Sequence, residues 1–524
     1  CAGFYEGNLI AGSPQAQADL LAAIGTSTWI EKIGALGGAT TVDFATVLTA
    51  GTLVGVHYGA GSTAFDNIIG KKTDGTAFYW FDAGTSLDTF ALAFTASSNA
   101  AVFSTGGPVP SIPEPETYAL MLAGLGVVKG DRIAAQVPKT PEALALYGAA
   151  VALGAVFLPL NTAYTAAEVD YFLGDARPKV FVCEGSKALG LAVVAGRYGA
   201  EVLTMDADGS GSLRDLAEGA ADEVRPASCS ADDLAALLYT SGTTGRSKGA
   251  MLSHGNLMSN AQVLAQEWRF TADDVLLHAL PIFHTHGLFV ASNVALLSGA
   301  SMVWLAGFDA AEVMVHLPKA TVLMGVPTFY TRLLDAPAMT REAVGHMRLF
   351  VSGSAPLLAE THLEWEARTG HRILERYGMT ETSMNTSNPY DGARRAGTVG
   401  LPLPGVALRI TGEAGEVAAG EVGMIEVRGP NVFQGYWQMP EKTAEELRPD
   451  GWFITGDLGR FDAQGYLVIS GRAKDLVITG GFNVYPKEVE LLLDEVDGVL
   501  ESAVIGLRSE EHTSELQSHL MISY

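Results

Sequence analysis

Tyr239-Thr240-Ser241-Gly242-Thr243-Thr244-Gly245-Arg246-Ser247-Lys248-Gly249 gathers glycines, hydroxyls and a lysine into one short run. Those residue types suit the holding of a polyphosphate. Glycines let backbone N–H groups point at phosphate oxygens, hydroxyls add donors, and the Lys248 ammonium adds a point charge. The spacing is not the Gly-x-x-x-x-Gly-Lys-Ser/Thr of P-loop NTPases, which excludes that class. By composition alone the run would pass for a flexible surface loop. The unbroken order Tyr-Thr-Ser-Gly-Thr-Thr-Gly, followed by a lysine, argues for the anion.

Elements on either side must position this loop. Leu234–Leu238 is a short apolar block without helical period and reads as a buried strand. Ala250–Leu252 continues apolar, and Ser253-His254-Gly255-Asn256 breaks the chain before a helix-like segment. Upstream, Ile133–Val137 and Val180–Cys183 read as buried strands, and Pro141–Ala152 as a helix with proline suitably early. Downstream, strands are expected over Val275–Leu280 and Val322–Val326, and from Arg348 into the tight Gly353-Ser354 turn. The stretches 423–429, 451–457 and 465–471 read as β-rich. This alternation predicts layered α/β architecture followed by a β-rich subdomain.

The chain has 524 residues, enough for about three domains. A hydrophobic content of 48% permits a large core, and a net charge of −25 argues against nucleic acid as a partner. Cys1, Cys183 and Cys229 give neither a disulfide framework nor metal-ligand spacing. No arginine precedes Arg132, and residues 1–110 are rich in Gly, Ala, Thr and Ser, with β-prone runs at Thr76–Phe81 and Thr89–Phe94. That shift in style predicts a domain boundary, with a small β-rich segment before it.

From about Leu120 to Leu507 the chain resembles the adenylate-forming superfamily of acyl-CoA synthetases, luciferases and adenylation domains. Tyr239–Gly249 is similar to its phosphate loop, with Thr240, Ser241, Gly242, Thr243, Thr244, Gly245 and Lys248 at the nucleotide. Tyr377-Gly378-Met379-Thr380-Glu381 resembles the adenine and magnesium motif, in which Glu381 and Thr244 help place Mg²⁺. Gly353-Ser354 resembles the turn against adenine, and Thr455-Gly456-Asp457 the ribose motif. Gly471-Arg472-Ala473-Lys474-Asp475 resembles the interdomain hinge, with Arg472 on the ribose and Lys474 at the pivot. Gly480–Pro486 resembles the loop that forms the pantetheine tunnel. The resemblance implies a cytoplasmic ATP-dependent acid–CoA ligase: ATP and CoA as cosubstrates, Mg²⁺, an acyl adenylate, then a thioester. It also implies a large domain at 129–471 and the start of an α+β C-terminal domain at 472–507.

Among acids, His284-Thr285-His286-Gly287, Met384–Ser387 and Arg394–Gly400 resemble malonyl-CoA synthetases more than fatty-acid or aryl-acid ligases, which remain the alternatives. The likeness implies that Thr285 and Met384 line a small acyl pocket between His284 and His286. A second carboxylate asks for a cation, and Arg348 is the candidate.

Two stretches resemble something else. Val109–Gly126, with its Pro-Glu-Pro before an apolar run, resembles the sorting signal of PEP-CTERM exported proteins, which makes 1–116 an exported-protein fragment and 117–128 a junction. The run from Tyr118 to Val128 is well short of the roughly 20 residues of a spanning helix. Residues 508–524 resemble a translated sequencing adapter, a non-biological tail on a chimeric chain. The lysine near the family's C-terminus, which stabilises the adenylation transition state, has no counterpart. Losing such a contact typically costs about 3 kcal/mol. The purified chain is therefore expected to form malonyl-CoA poorly; turnover at the rate of an intact ligase would overturn this expectation.

Overall fold

A strand that is apolar at every position, such as Val180–Cys183, needs cover on both faces, and parallel sheets with crossover helices supply it. The computed structural model of the chain contains this arrangement twice. From Pro115 onward the structure describes the chain except residues 219–225, 241–245, 480–481, 487–488, 509–515, Tyr524 and scattered positions in 491–500; before Pro115 it describes only the backbone of the strands.

Two compact units meet at Ile112 and Pro113. In the first, Gly3–Glu6, Gly75–Phe81, Thr52–Tyr58, Asn99–Ser104 and Thr28–Gly34 form, in that order, an antiparallel sheet. Thr41–Leu48 pairs with Leu87–Ala91 in a ribbon; residues 92–94 of the strand expected over 89–94 lie outside the described residues. This is the β-rich segment expected. The proline-rich stretch 109–114 lies outside the described residues.

The second unit opens with α1 (Pro115–Gly124), which buries Tyr118 and Leu122 completely. The segment expected to be a junction at 117–128 is therefore part of this unit's core. There follow β1 (Arg132–Gln136), α2 (Pro141–Ala152), β2 (Val156–Pro159), α3 (Ala166–Ala176), β3 (Val180–Cys183), α4 (Gly185–Gly196), β4 (Glu201–Thr204), β5 (Leu234–Thr240) and β6 (Lys248–Ser253). The sheet order is β4-β3-β1-β2-β5-β6, parallel except for the final β5–β6 hairpin. Alternate residues face opposite layers: Ile133, Ala135, Val180 and Val182 pack towards α1 and α2, while Ala134, Phe181 and Cys183 pack towards α3 and α4. Helix starts are chemically marked. Thr140 accepts from the Ala143 amide ahead of Pro141, and Thr165 and Glu168 form a capping box. Each cap is worth about 1 kcal/mol.

After α5 (His254–Glu267), capped by Ser253, a second sheet begins. Its strands are β7 (Val275–His278), β8 (Ser301–Trp304), β9 (Val322–Gly325), β10 (Leu349–Ser352), β11 (Leu374–Met379), β12 (Ser383–Ser387) and β13 (Leu401–Pro402), in the order β8-β7-β9-β10-β11-β12-β13. The first five are mutually parallel. Helices α6 (Pro327–Leu334) and α7 (Ala359–Thr369) cover one face, where Trp365 is fully buried with the rings of Tyr330 and Phe350 each 5.0 Å away. Such aromatic pairs add about 1 kcal/mol beyond burial.

The predicted β-rich subdomain is an antiparallel sheet of β14 (Ala407–Gly412), β15 (Gly415–Glu416), β16 (Gly423–Arg428), β17 (Phe453–Phe461) and β18 (Leu467–Arg472), with α8 (Pro440–Glu446) between β16 and β17. Two hairpins follow, β19 (Val477–Thr479) with β20 (Phe482–Val484), and β21 (Glu501–Arg508) with β22 (Leu516–Ser523). The stretch expected to be a non-biological tail thus contributes a paired strand. No helix among the described residues is long and apolar enough to cross a membrane.

One expectation is corrected here. Arg348 stands at the N-terminal end of β10, opposite the end at which the Gly353-Ser354 turn leaves the sheet. Its guanidinium forks onto Asp274, at 2.5 and 2.7 Å, and donates to the Trp268 carbonyl. Asp274 also accepts from the Thr321 hydroxyl at 2.8 Å, so one buried carboxylate ties the starts of β7, β9 and β10. A guanidinium with this partner has no charge left for a substrate. Burial alone would push the Asp274 carboxyl up; Arg348 and the other donors outweigh that and hold it below the ordinary range. Its stabilisation is therefore present above the unfolded pKa near 4 and lost as pH falls through the lower folded value. Arg348→Met strands a buried carboxylate and is expected to cost about 3 kcal/mol at pH 7. Denaturant titrations of both proteins should show that difference shrinking towards pH 3.

Candidate active site

The phosphate-type run is a β-hairpin. Thr240, at the end of β5, pairs across the strands with Lys248, the first residue of β6. Lys248 is thus on a strand, not in the turn where its sequence position suggested. Ser241, Gly242, Thr243, Thr244 and Gly245 lie outside the described residues. Residues 434–437 run beside β6: Trp437 donates to the Gly249 carbonyl at 2.7 Å, and Ala250 bridges Tyr436. This brings the Lys248 ammonium 3.0 Å from the Tyr436 hydroxyl and 3.2 Å from Glu446.

Glu381 lies in the turn between β11 and β12 and is 5% exposed, with the Tyr436 hydroxyl 3.0 Å from its carboxylate. Burial pushes its pKa up, opposed by its backbone bond, Tyr436 and Lys248. A buried carboxylate at the base of the hairpin is the oxygen donor that a hard cation shared with phosphates requires.

A cavity of about 980 Å³ opens beside β11. Ser354, Tyr377, Gly378, Met379, Asp457, Arg472 and Lys474 line it, so the predicted adenine, ribose and hinge residues share one wall. The Tyr377 hydroxyl donates to Asp457 at 2.6 Å, and the Arg472 guanidinium stands 3.2 Å from the same carboxylate. Burial drives the Asp457 pKa up against both partners. Thr380 is in the turn that follows β11. Gly353 and Ser354 form the turn after β10; Ser354 has φ +73°, which side chains other than glycine rarely adopt.

His284 and Thr285 lead into a π-helical turn, His286–Ser292. The Gly287 carbonyl accepts from His278 Nε2 and from the Ser292 hydroxyl, each at 2.9 Å. A carbonyl only accepts, so His278 carries its proton on Nε2, while its Nδ1 accepts from Lys139 at 2.9 Å. Burial lowers Lys139 to about 7 and His278 to about 3. The turn presents His286 to Ser354, whose hydroxyl is 3.3 Å from Nδ1. Burial holds the His286 imidazole well below its ordinary pKa, and therefore neutral. Met384, on β12, packs its methyl against Gly378.

The residue that the sequence reading passed over is Arg376. It sits on β11, 3% exposed, and lies across Gly353, where a Cβ would meet the guanidinium carbon at 2.4 Å. Burial pulls its pKa down to about 9, which leaves it charged at neutral pH. Its one hydrogen bond among the described residues is a long one, 3.5 Å to the Ser354 hydroxyl. Arg376 Nε, His286 Nε2 and Thr285 Oγ1 are all buried without partners. A signal was present: a charged pair, Glu375-Arg376, follows the apolar Ile373-Leu374 and is buried with it at the start of the strand. Glu375 is accounted for by His362, at 3.1 Å; Arg376 has no such carboxylate.

This fold and this hairpin-plus-cavity site define a class. The chain belongs to the AMP-binding enzyme family, whose pattern matches residues 116–437. Its particular likenesses narrow the field further. ATP-bound MatB from Rhodopseudomonas palustris is 59% identical, with a TM-score of 0.76 over 78% of this chain and 81% of that one. The malonate–CoA ligase of Arabidopsis thaliana is 35% identical over 412 residues, 74% of this chain and 67% of the relative. A feruloyl-CoA synthase from an Amycolatopsis species is 37% identical over 391 residues, 74% and 77% of the two chains. The chain is an acid–thiol ligase of this class, acting on small molecules.

Gly378 provides a test of the geometry. A Cβ there would fall 1.9 Å from the Ser383 carbonyl oxygen and 2.6 Å from the Met384 methyl. Gly378→Ala is expected to cost about 2 to 3 kcal/mol. Thermal melting should show the loss, and AMP affinity should fall with it, because Tyr377 and Met379 shift with the strand.

Proposed function

We propose that this ligase joins malonate to CoA at the expense of ATP. The observation that carries the reading is Arg376, a buried guanidinium without a carboxylate partner beside two further unpartnered donors. An uncompensated buried charge is costly, and a pocket for a plain fatty or aryl acyl chain gains nothing from one. Malonate brings a second carboxylate that would accept from Arg376 Nε, His286 Nε2 and the Thr285 hydroxyl. Met384, packed against Gly378, would limit the length of the acid, and the MatB and malonate–CoA ligase likenesses support the same reading.

The remaining residues suit the nucleotide. Thr240, Lys248 and the loop residues Ser241, Gly242, Thr243, Thr244 and Gly245 would hold the phosphates. Gly353, Ser354, Tyr377, Gly378, Met379 and Thr380 would hold the adenine, and Asp457 and Arg472 the ribose. Glu381 and Thr244 would hold Mg²⁺, which when bound neutralises phosphate charge. Lys474, between the β-rich sheet and the hairpins, would serve as the hinge before CoA enters. One malonate carboxylate attacks the α-phosphorus, and the bond to pyrophosphate breaks. The CoA thiol then attacks the acyl carbonyl, its proton is lost, and AMP leaves. The chain's part is orientation and charge complementarity.

The test is ATP–pyrophosphate exchange with malonate, methylmalonate, succinate, butyrate and ferulate. Malonate should support the fastest exchange. Arg376→Met should lower kcat/KM for malonate about 100-fold, as befits roughly 3 kcal/mol of charge-assisted bonding, and should leave butyrate unaffected. Equal exchange with butyrate and malonate in the unsubstituted chain would sink the reading.

A further inference from the structure

We infer that Glu446 is a positioning residue for the phosphate end of the nucleotide, holding the Lys248 ammonium and the Tyr436 hydroxyl beside Glu381 before ATP arrives. The inference rests on the assignment of Lys248 and Glu381 to that end of the nucleotide.

Glu446 is the last residue of α8, a helix that buries none of its residues, so its carboxylate is not a by-product of core packing. It is nevertheless turned inward. Lys248 Nζ stands 3.2 Å from each of its oxygens, and the Tyr436 hydroxyl 2.5 Å from Oε2. The same hydroxyl is 3.0 Å from Glu381, and Lys248 lies 4.1 Å from the Tyr436 ring centroid. One phenol therefore links a lysine and two glutamates contributed by three separate stretches of chain. The helix is fastened to the cluster: the Tyr436 amide donates to the Thr443 hydroxyl at 2.9 Å, which donates in turn to the Met439 carbonyl at 2.9 Å.

Two effects compete. The Glu446 charge repels an incoming polyphosphate, while its contacts hold Lys248 in place. Lys442 stands 2.9 Å from Oε1 but 2.7 Å from Glu445, so it offsets only part of the Glu446 charge, and what Glu446 contributes is the fixing of Lys248 rather than attraction of the anion. An ammonium has three N–H groups. The carboxylate and the phenol engage two, which leaves one. A flexible lysine loses rotamer freedom on being fixed, and a lysine already fixed binds without that cost.

Calorimetric titration with ATP and with AMP, each with Mg²⁺, tests this, because AMP lacks the phosphates that Lys248 would meet. Glu446→Gln should weaken ATP about tenfold and leave AMP within about twofold, with Glu446→Asp recovering part of the loss. In a Lys248→Met background the Glu446→Gln effect should vanish. Unchanged or tighter ATP binding by Glu446→Gln, or equal losses for ATP and AMP, would overturn the inference. Failure of the unsubstituted chain to bind ATP would instead remove the nucleotide assignment itself, and the inference with it.

Discussion

A guanidinium held out of water sets the terms for the centre of this molecule. Arg376 needs a flat bed, which Gly353 provides, and neighbours that add no competing charge, which the neutral imidazole of His286 satisfies. The unusual backbone of Ser354 sets a hydroxyl near both. None of these features would be retained for stability alone, since a well-packed apolar side chain in place of Arg376 would cost the fold less. The site is built around a charge that meets no carboxylate among the described residues.

The parallel sheet beneath it separates two kinds of polar chemistry. At the N-terminal ends of β7, β9 and β10, Asp274, Thr321 and Arg348 satisfy one another and act as a staple. At the C-terminal ends the chain breaks into the turns that carry Ser354, His286 and Glu381, where donors remain unsatisfied. Strand polarity puts satisfied polar groups at one edge and unsatisfied donors at the other, the edge where open α/β sheets bind ligands. Arg348 and Arg376 illustrate the rule, two partly or wholly buried arginines on adjacent strands with opposite duties.

Much of this was legible in the residue order. Apolar runs bounded by Gly, Pro and hydroxyl residues located six of the parallel strands to within a residue or two but left Val156–Pro159, Glu201–Thr204, Ser301–Trp304 and Leu374–Met379 unread, and Pro141–Ala152 was read with its observed bounds because Thr140 and Pro141 mark the start chemically. The motif residues Ser354, Tyr377–Met379 and Arg472 share a cavity wall because they sit at strand ends or the turns after them, with Asp457, in mid-strand, opposite Tyr377. Pairing information was not legible. Whether an arginine meets Asp274 or nothing depends on contacts between residues 74 positions apart, so Arg348 and Arg376 looked alike in the sequence. Lys248 was placed in a turn because glycine and serine surround it, yet strand register puts it opposite Thr240. Tyr436 and Glu446 went unnoticed for the same reason, since Lys248 and Glu381, which they meet, are far away in sequence.

The π-helical turn at His286–Ser292 carries one consequence for how this enzyme can vary. A π turn amounts to an α-helix with one residue too many, and each residue rotates a helix by about 100°. Removing one position from 288–292 would restore ordinary helical pitch and carry the Gly287 carbonyl away from His278. The same deletion would swing the His286 imidazole off Ser354 while leaving the segment hydrophobic and helical. Length along this turn is therefore under tighter constraint than residue identity: substitutions among its apolar members are tolerable, whereas a single-codon deletion is not.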